Sequence, residues 1–152
     1  MNFEQVLPPG SVRLGENLSS KAQAISRIAE LLGAASGRAA EWIEAALLAR
    51  EALGSTGVGS GVALPHARLH ALSSTHAVLL RLSSPLDFGS IDAKPADLIC
   101  GVIAPDEPNA ELLTAVAAVS RVLRDAAKTQ ALRQAGDGEV ARRILLGLPA
   151  LA

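Results

Sequence analysis

One histidine in this sequence is placed for chemistry. His66 follows Pro65 at the end of a short apolar stretch, residues 62–64, and that stretch follows a loop holding Gly54, Gly57, Gly59 and Gly61. Pro65 has a fixed φ and biases Leu64 toward an extended backbone, so a strand is expected to stop there and aim the imidazole. The loop would return beside it with many backbone N–H donors. A free imidazole has a pKa of about 6.5, so near neutral pH it is mostly an uncharged nucleophile. It can attack a phosphoryl group and later release it. Arg50, at the end of the preceding helical segment, could bring a planar, multi-donor cation to the same place. Hydroxyls and backbone amides would stabilise the transferring charge.

Other chemistries fit the same residues less well. A phosphate-binding P-loop needs G-x-x-x-x-G-K-[ST], and the chain reads Gly54, Gly59, Ser60, Gly61 with no lysine. A dinucleotide fingerprint would use Gly57 and Gly59, but position 62 is valine. Both motifs also need strand, loop, then helix, whereas here a helix precedes the loop and a strand follows. The plainest reading of the glycines is a tight turn or a close backbone approach. Ser55 and Thr56 read equally well as turn residues that bond locally. His76, inside an apolar run, reads as structural. His70 lies in a loop, and its spacing of four from His66 converges on a metal only in a helix, with no Cys or carboxylate cluster nearby. A serine hydrolase elbow, G-x-S-x-G, is absent.

The elements that must position His66 can be read from periodicity and breakers. A short helical turn or loop and an edge strand near residues 11–14 flank Pro8-Pro9-Gly10. Ser20 opens a helix with Gln23 as capping partner, a stripe of Ala22, Ile25, Ala29 and Leu32, and Gly33 as its stop. A second helix runs from about Arg38 to Leu53, with Trp42, Ala46, Ala49 and Leu53 as its stripe. Residues 75–82 and 97–104 are apolar runs of strand length, and strands so poor in polar residues are covered on both faces. A third long helix starts at Glu107 or Asn109, ends near Asp125, and packs through Leu112, Val116, Val119 and Leu123. Two short helices, about 126–135 and 138–147, finish the chain. The expected fold is α/β: a mixed β-sheet of about five strands between α-helices, in one domain spanning 1–152.

Composition bounds the partners. A chain of 152 residues can bury a real core without metals or disulfides. A net charge of −1 gives no basic footprint for nucleic acid, and two Phe, one Trp and no Tyr leave little for stacking on bases. Cys100, the lone cysteine, reads as a buried thiol of a reducing compartment. The first ten residues lack a signal-peptide pattern, and no apolar run approaches the roughly 20 residues of a membrane span. These features predict a cytoplasmic protein with no membrane insertion.

The stretch REALGSTGVGSGVALPHAR, residues 50–68, resembles the active-site signature of the mannitol/fructose-type (type 2) enzyme IIA domains of the bacterial phosphoenolpyruvate-dependent phosphotransferase system. The matching positions include Arg50-Glu51, Gly54-Ser55-Thr56-Gly57, Gly59, Gly61, Ala63 and Pro65-His66. Pro85-Leu86-Asp87-Phe88, Ala96-Asp97-Leu98 and Ser120-Arg121-Val122-Leu123 extend the resemblance over nearly the whole chain. The short length and the segment SPLDFGSID look most like the nitrogen-regulatory enzyme IIA.

The resemblance implies a phosphocarrier with no cofactor. His66 would accept a phosphoryl group from a histidine phosphocarrier protein, Arg50 would bind phosphate, and Ser55 and Thr56 would lie in the site wall. The free and phosphorylated forms would then regulate targets such as kinases or transporters. Many members carry a second histidine that helps organise the site; counting back from Arg121, its place is taken by Leu112. Transfer then rests on His66, Arg50 and backbone donors, or His70 supplies help, or phosphotransfer is slow. Two alternatives stay beside the regulatory reading. One is a sugar-specific enzyme IIA serving a separate permease. The other is a docking-only module with impaired phosphotransfer.

Overall fold

In the computed structural model, residues 1–106 and 110–150 are described. The elements follow the order α1 (Phe3–Val6), β1 (Val12–Glu16), α2 (Lys21–Ser36), α3 (Ala40–Glu51), β2 (Gly57–Gly59), β3 (Val62–Ala63), β4 (His66–Leu69), β5 (His76–Leu86), β6 (Ala96–Pro105), α4 (Glu111–Leu123), α5 (Ala126–Gln134) and α6 (Gly138–Leu146). The expected start of α4 at Glu107 or Asn109 lies outside the described residues.

The six strands form one mixed sheet in the order β1-β5-β6-β3-β2, with β4 also pairing β6. β5 and β6 are antiparallel, while β1 runs parallel to β5, and β3 and β4 run parallel to β6. β6 is central, and its side chains alternate between two cores. Leu98, Cys100, Val102 and Ala104 join Leu112, Ala115, Val119 and Leu123 of α4, Leu132 of α5, and Leu145 of α6. Ile99 and Ile103 join Ile25, Ile28 and Leu32 of α2, and Ile43 and Leu47 of α3. Helices therefore cover both faces, which is why the central strands carry almost no polar side chain.

Ser20 caps α2 by accepting a hydrogen bond from the Gln23 N–H, and the Gln23 side chain accepts from the Ser19 N–H. The helix does not stop at Gly33. It continues to Ser36 and ends on Gly37, whose φ of 75° supplies the left-handed cap. Gly33 serves close approach instead, since a Cβ there would lie 2.9 Å from the Arg38 carbonyl oxygen. Within α2, Ala24 and Ile28 belong to the buried stripe and Ala22 is exposed.

α3 corrects the sequence reading more sharply. It spans Ala40–Glu51 rather than 38–53, and its buried residues are Ile43 and Leu47. Trp42 and Leu53 face solvent, the latter 85% exposed. Of the expected stripe, Trp42 and Ala49 are exposed, Ala46 packs at the margin of the core, and Leu53 lies beyond the helix end. Periodicity identifies an apolar face without saying which of two adjacent faces meets the sheet.

Cys100 is fully buried, and that burial pushes its thiol pKa up to about 12. Among the described residues, no helix is long and apolar enough to cross a membrane.

Candidate functional site

The glycine-rich segment folds as a small antiparallel hairpin, β2 and β3, not as a loop followed by one strand. Ser60 and Gly61 sit at its tip with φ of 56° and 79°, so both central residues are left-handed, as a tight two-residue hairpin turn requires. Gly57 is needed for contact. A Cβ there would lie 2.2 Å from the Ser90 hydroxyl and 3.1 Å from the Ser90 Cα. The Asp92 carboxylate accepts from the Ser60 N–H at 2.9 Å and the Lys94 N–H at 3.0 Å, and these two donors hold its carboxyl below the usual aspartate range. Arg133 joins the Ser60 carbonyl to Asp97 at the start of β6. The hairpin is thus fixed from both sides before the chain reaches His66.

His66 opens β4 instead of ending a strand. β3 and β4 both pair with β6, Ala63 opposite Ile99 and His66 opposite Val102, and Leu64-Pro65 is the interruption between them. Pro65 has no N–H to give, but its carbonyl accepts from the Val102 N–H at 3.0 Å, so the register is kept across the break. Ala67 and Leu69 point into the core beneath α2 and α3. By strand alternation, His66 and Arg68 point the other way, toward α4.

The His66 imidazole is half-buried, and its Nδ1 lies 2.7 Å from the Leu64 carbonyl oxygen. A carbonyl oxygen only accepts, so Nδ1 carries the proton in the neutral ring. The lone pair is then on Nε2. His66 lines an open cleft of about 280 Å³ together with Arg50, Arg68, Leu112, Ala46 and Ala49 of α3, and Leu53 just beyond it. Arg50 donates to the Gly54 carbonyl at 2.9 Å, which ties its guanidinium to the turn after α3. The cleft therefore holds one nucleophilic nitrogen, two guanidiniums and an apolar rim. That combination suits a tetrahedral oxyanion delivered by another protein.

The structure does not bring every expected residue there. Ser55 and Thr56 are absent from this cleft. The Ser55 hydroxyl donates to the Phe88 carbonyl and accepts from the Gly57 N–H, and buried Thr56 donates its N–H and hydroxyl to the Glu51 carboxylate. Their polar groups are consumed in shaping the loop. His70 is also remote from the cleft: it sits just beyond the far end of β4, 87% exposed, with Nδ1 3.6 Å from Asp106. β4 carries the backbone roughly 10 Å from His66 to Leu69 before His70 is reached. His76 opens β5, and its partial burial lowers its pKa. Leu112 does reach the cleft, from the first turn of α4, and is buried there.

Two residues escaped the sequence reading. Arg68 is two positions after His66 on the same strand, so period-2 alternation alone places it on the same side. Glu51 follows Arg50 and precedes Thr56 by five, but only folding reveals that its carboxylate turns back to that residue.

The chain matches the family model for the phosphoenolpyruvate-dependent sugar phosphotransferase system, EIIA 2, over residues 5–147. It is 34% identical over 152 residues to a nitrogen regulatory protein of Bradyrhizobium diazoefficiens, covering 100% of this chain and 99% of that one. It is 33% identical over 147 residues to a nitrogen regulatory protein of Pseudomonas aeruginosa, covering 96% of each. Among solved structures, the nitrogen regulatory protein IIA-Ntr of Neisseria meningitidis superposes with a TM-score of 0.89 at 28% identity, over 94% of this chain and 98% of that one. The sheet order, the cleft around His66 and these matches agree: the chain belongs to the EIIA type 2 family of the phosphoenolpyruvate-dependent sugar phosphotransferase system.

Proposed function

We propose that this protein is a cytoplasmic phosphocarrier of a nitrogen-regulatory branch of the phosphotransferase system. It accepts a phosphoryl group on His66 from a histidine phosphocarrier protein and regulates other proteins according to its phosphorylation state. The observation that carries this reading is the His66 ring. It is held by Leu64 through Nδ1, with Nε2 left as the nucleophile in a cleft containing two guanidiniums. The regulatory branch is supported by the names of the relatives from Bradyrhizobium and Pseudomonas, both nitrogen regulatory proteins.

The transfer balances without a proton leaving the site. The Nε2 lone pair attacks phosphorus, the donor's N–P bond breaks, and the donor imidazole departs with that electron pair. The Nδ1 proton of His66 stays in place, so the product ring is cationic beside a dianionic phosphoryl group. The Nδ1–H···O=C bond to Leu64 is stronger to the cationic ring than to the neutral one, which favours the transition state over the ground state. Arg50 and Arg68 offset the phosphoryl charge. The dianion alters the charge of a surface rimmed by Leu53, which is how a target would distinguish the two forms.

The test is to mix the protein with phosphoenolpyruvate, enzyme I and the phosphocarrier, then to read intact mass and acid lability. One acid-labile phosphoryl group, absent from His66→Ala, is expected. No added group would overturn phosphotransfer and leave a docking-only module, the reading favoured by Leu112 standing in the cleft wall where a second histidine is common. A deletion strain that fails on one particular sugar would move the assignment to sugar uptake.

A further inference from the structure

The Glu51 side chain is 6% exposed and lies outside the cleft, yet it is connected to His66 through an unbroken series of short bonds. Its carboxylate accepts from the Thr56 N–H at 2.9 Å and from the Thr56 hydroxyl. The Thr56 carbonyl accepts from the Leu64 N–H at 2.9 Å. The Leu64 carbonyl accepts from His66 Nδ1 at 2.7 Å. Leu64 precedes Pro65, so its backbone is confined to extended conformations, and the bond to Thr56 fixes the remaining freedom of its peptide planes. The direction of the Leu64 carbonyl, and with it the tautomer and rotation of the His66 ring, follows from where Thr56 is held.

We propose that Glu51 is a positioning residue for His66, acting through Thr56 and Leu64. This rests on the reading of His66 as the phosphoryl acceptor. Glu51 is the last residue of α3 and the immediate neighbour of Arg50. One carboxylate therefore sets the helix end that presents the guanidinium and the hairpin that presents the imidazole, so the two cannot drift apart independently. Lys21, from the first turn of α2, lies 2.5 Å from Glu51 Oε2 and also donates to the Phe88 carbonyl at 3.1 Å. Its ammonium cancels a buried negative charge that would otherwise oppose an incoming phosphoryl dianion. A purely structural role would need only that the loop stay folded. A positioning role also requires that the Nδ1–H tautomer depend on Glu51.

The decisive readout is the ¹⁵N chemical shifts of His66 in the unphosphorylated protein, measured beside the rate of phosphoryl acceptance from the phosphocarrier. Wild type should show a protonated Nδ1 and an unprotonated Nε2. Glu51→Gln, which keeps one acceptor oxygen but loses the anion, should fold, shift His66 toward a mixture of tautomers, and slow acceptance by about tenfold or more. Thr56→Val should do the same more weakly, and Thr56→Ser, which restores the hydroxyl, should return both readouts to wild type. Folded Glu51→Gln with unchanged ¹⁵N shifts and rate would overturn the proposal. Should Glu51→Gln fail to fold, the Thr56 pair decides: identical shifts and rates in Thr56→Val and wild type would overturn it. Because the shifts are read without phosphate, a wild type that accepts no phosphoryl group would count against the function while leaving the positioning measurement intact.

Discussion

The Nδ1 atom of His66 lies 2.7 Å from the carbonyl oxygen of the residue two places before it, Leu64. The Pro65 carbonyl bonds to the Val102 N–H of β6, so by alternation the Leu64 carbonyl faces away from that ladder and accepts from the ring. The consequence is regiochemical. Phosphorylation should occur at Nε2, and ³¹P and ¹⁵N spectra of the phosphoprotein would read it directly. A phosphoryl group on Nδ1 would show that the Leu64 contact does not govern the reaction.

Arg50 and Arg68 should contribute unequally. Arg50 is tethered to the Gly54 carbonyl and so is preorganised, whereas Arg68 is exposed on β4. Arg50→Ala should slow phosphoryl acceptance about a hundredfold and Arg68→Ala about tenfold, with little effect on thermal stability. Arg50→Lys should recover only a small part, since an ammonium cannot present two parallel donors. Equal rates for wild type and Arg50→Ala would remove that residue from the site.

Leu112 stands in the cleft wall, 3% exposed, and gives the cleft an apolar surface. Leu112→His should cost about 1–3 kcal/mol in a urea titration, because a polar ring replaces packed hydrocarbon. The same variant should accept and release phosphate faster. A stable variant with unchanged rates would mean that the second imidazole is dispensable in this scaffold.

Gly101 lies on β6 under α2, where an added Cβ would fall 2.3 Å from Ile28 Cγ2. Gly101→Ala should therefore destabilise by about 1–3 kcal/mol through overpacking. Pairing it with Ile28→Ala should cost less than the sum of the two single changes. A denaturant midpoint unchanged by Gly101→Ala would show that α2 shifts freely over the sheet.

His76 gives stability a pH dependence. Burial lowers its pKa in the folded state, so below the ordinary histidine value of about 6.5 the unfolded chain binds more protons. Its contribution is neutral above that value and becomes increasingly destabilising as pH falls from there toward the folded pKa. Wild type should lose more stability between pH 8 and pH 5 than His76→Gln. Parallel losses in the two proteins would assign the pH dependence elsewhere.

Much of the protein could be read without its fold because the signals were local. Ser20 and Gln23 marked the start of α2, the apolar runs marked β5 and β6, and Pro65-His66 marked the histidine that the fold sets in the cleft. The resemblance carried by residues 50–68 supplied the family, and the fold agrees with it. Covalent chemistry needs particular residue types at particular spacings, and such patterns survive in a linear string.

What the string did not contain was direction. Trp42 and Leu53 share a stripe with Ala46 and Ala49, yet α3 meets the sheet through Ile43 and Leu47. Ala46, Ala49 and Leu53 instead line the cleft. His70 is only four residues from His66 but faces solvent beyond the far end of β4, while Leu112, forty-six positions away by number, lines the same cleft. Thr56 carries two donors that the sequence offers to phosphate, and the tertiary structure commits both to Glu51. Residue identity fixed which groups could react. Which groups meet was decided by how helices cover the two faces of the sheet, because packing and long-range hydrogen bonds act between residues whose separation along the chain says nothing of their distance in space.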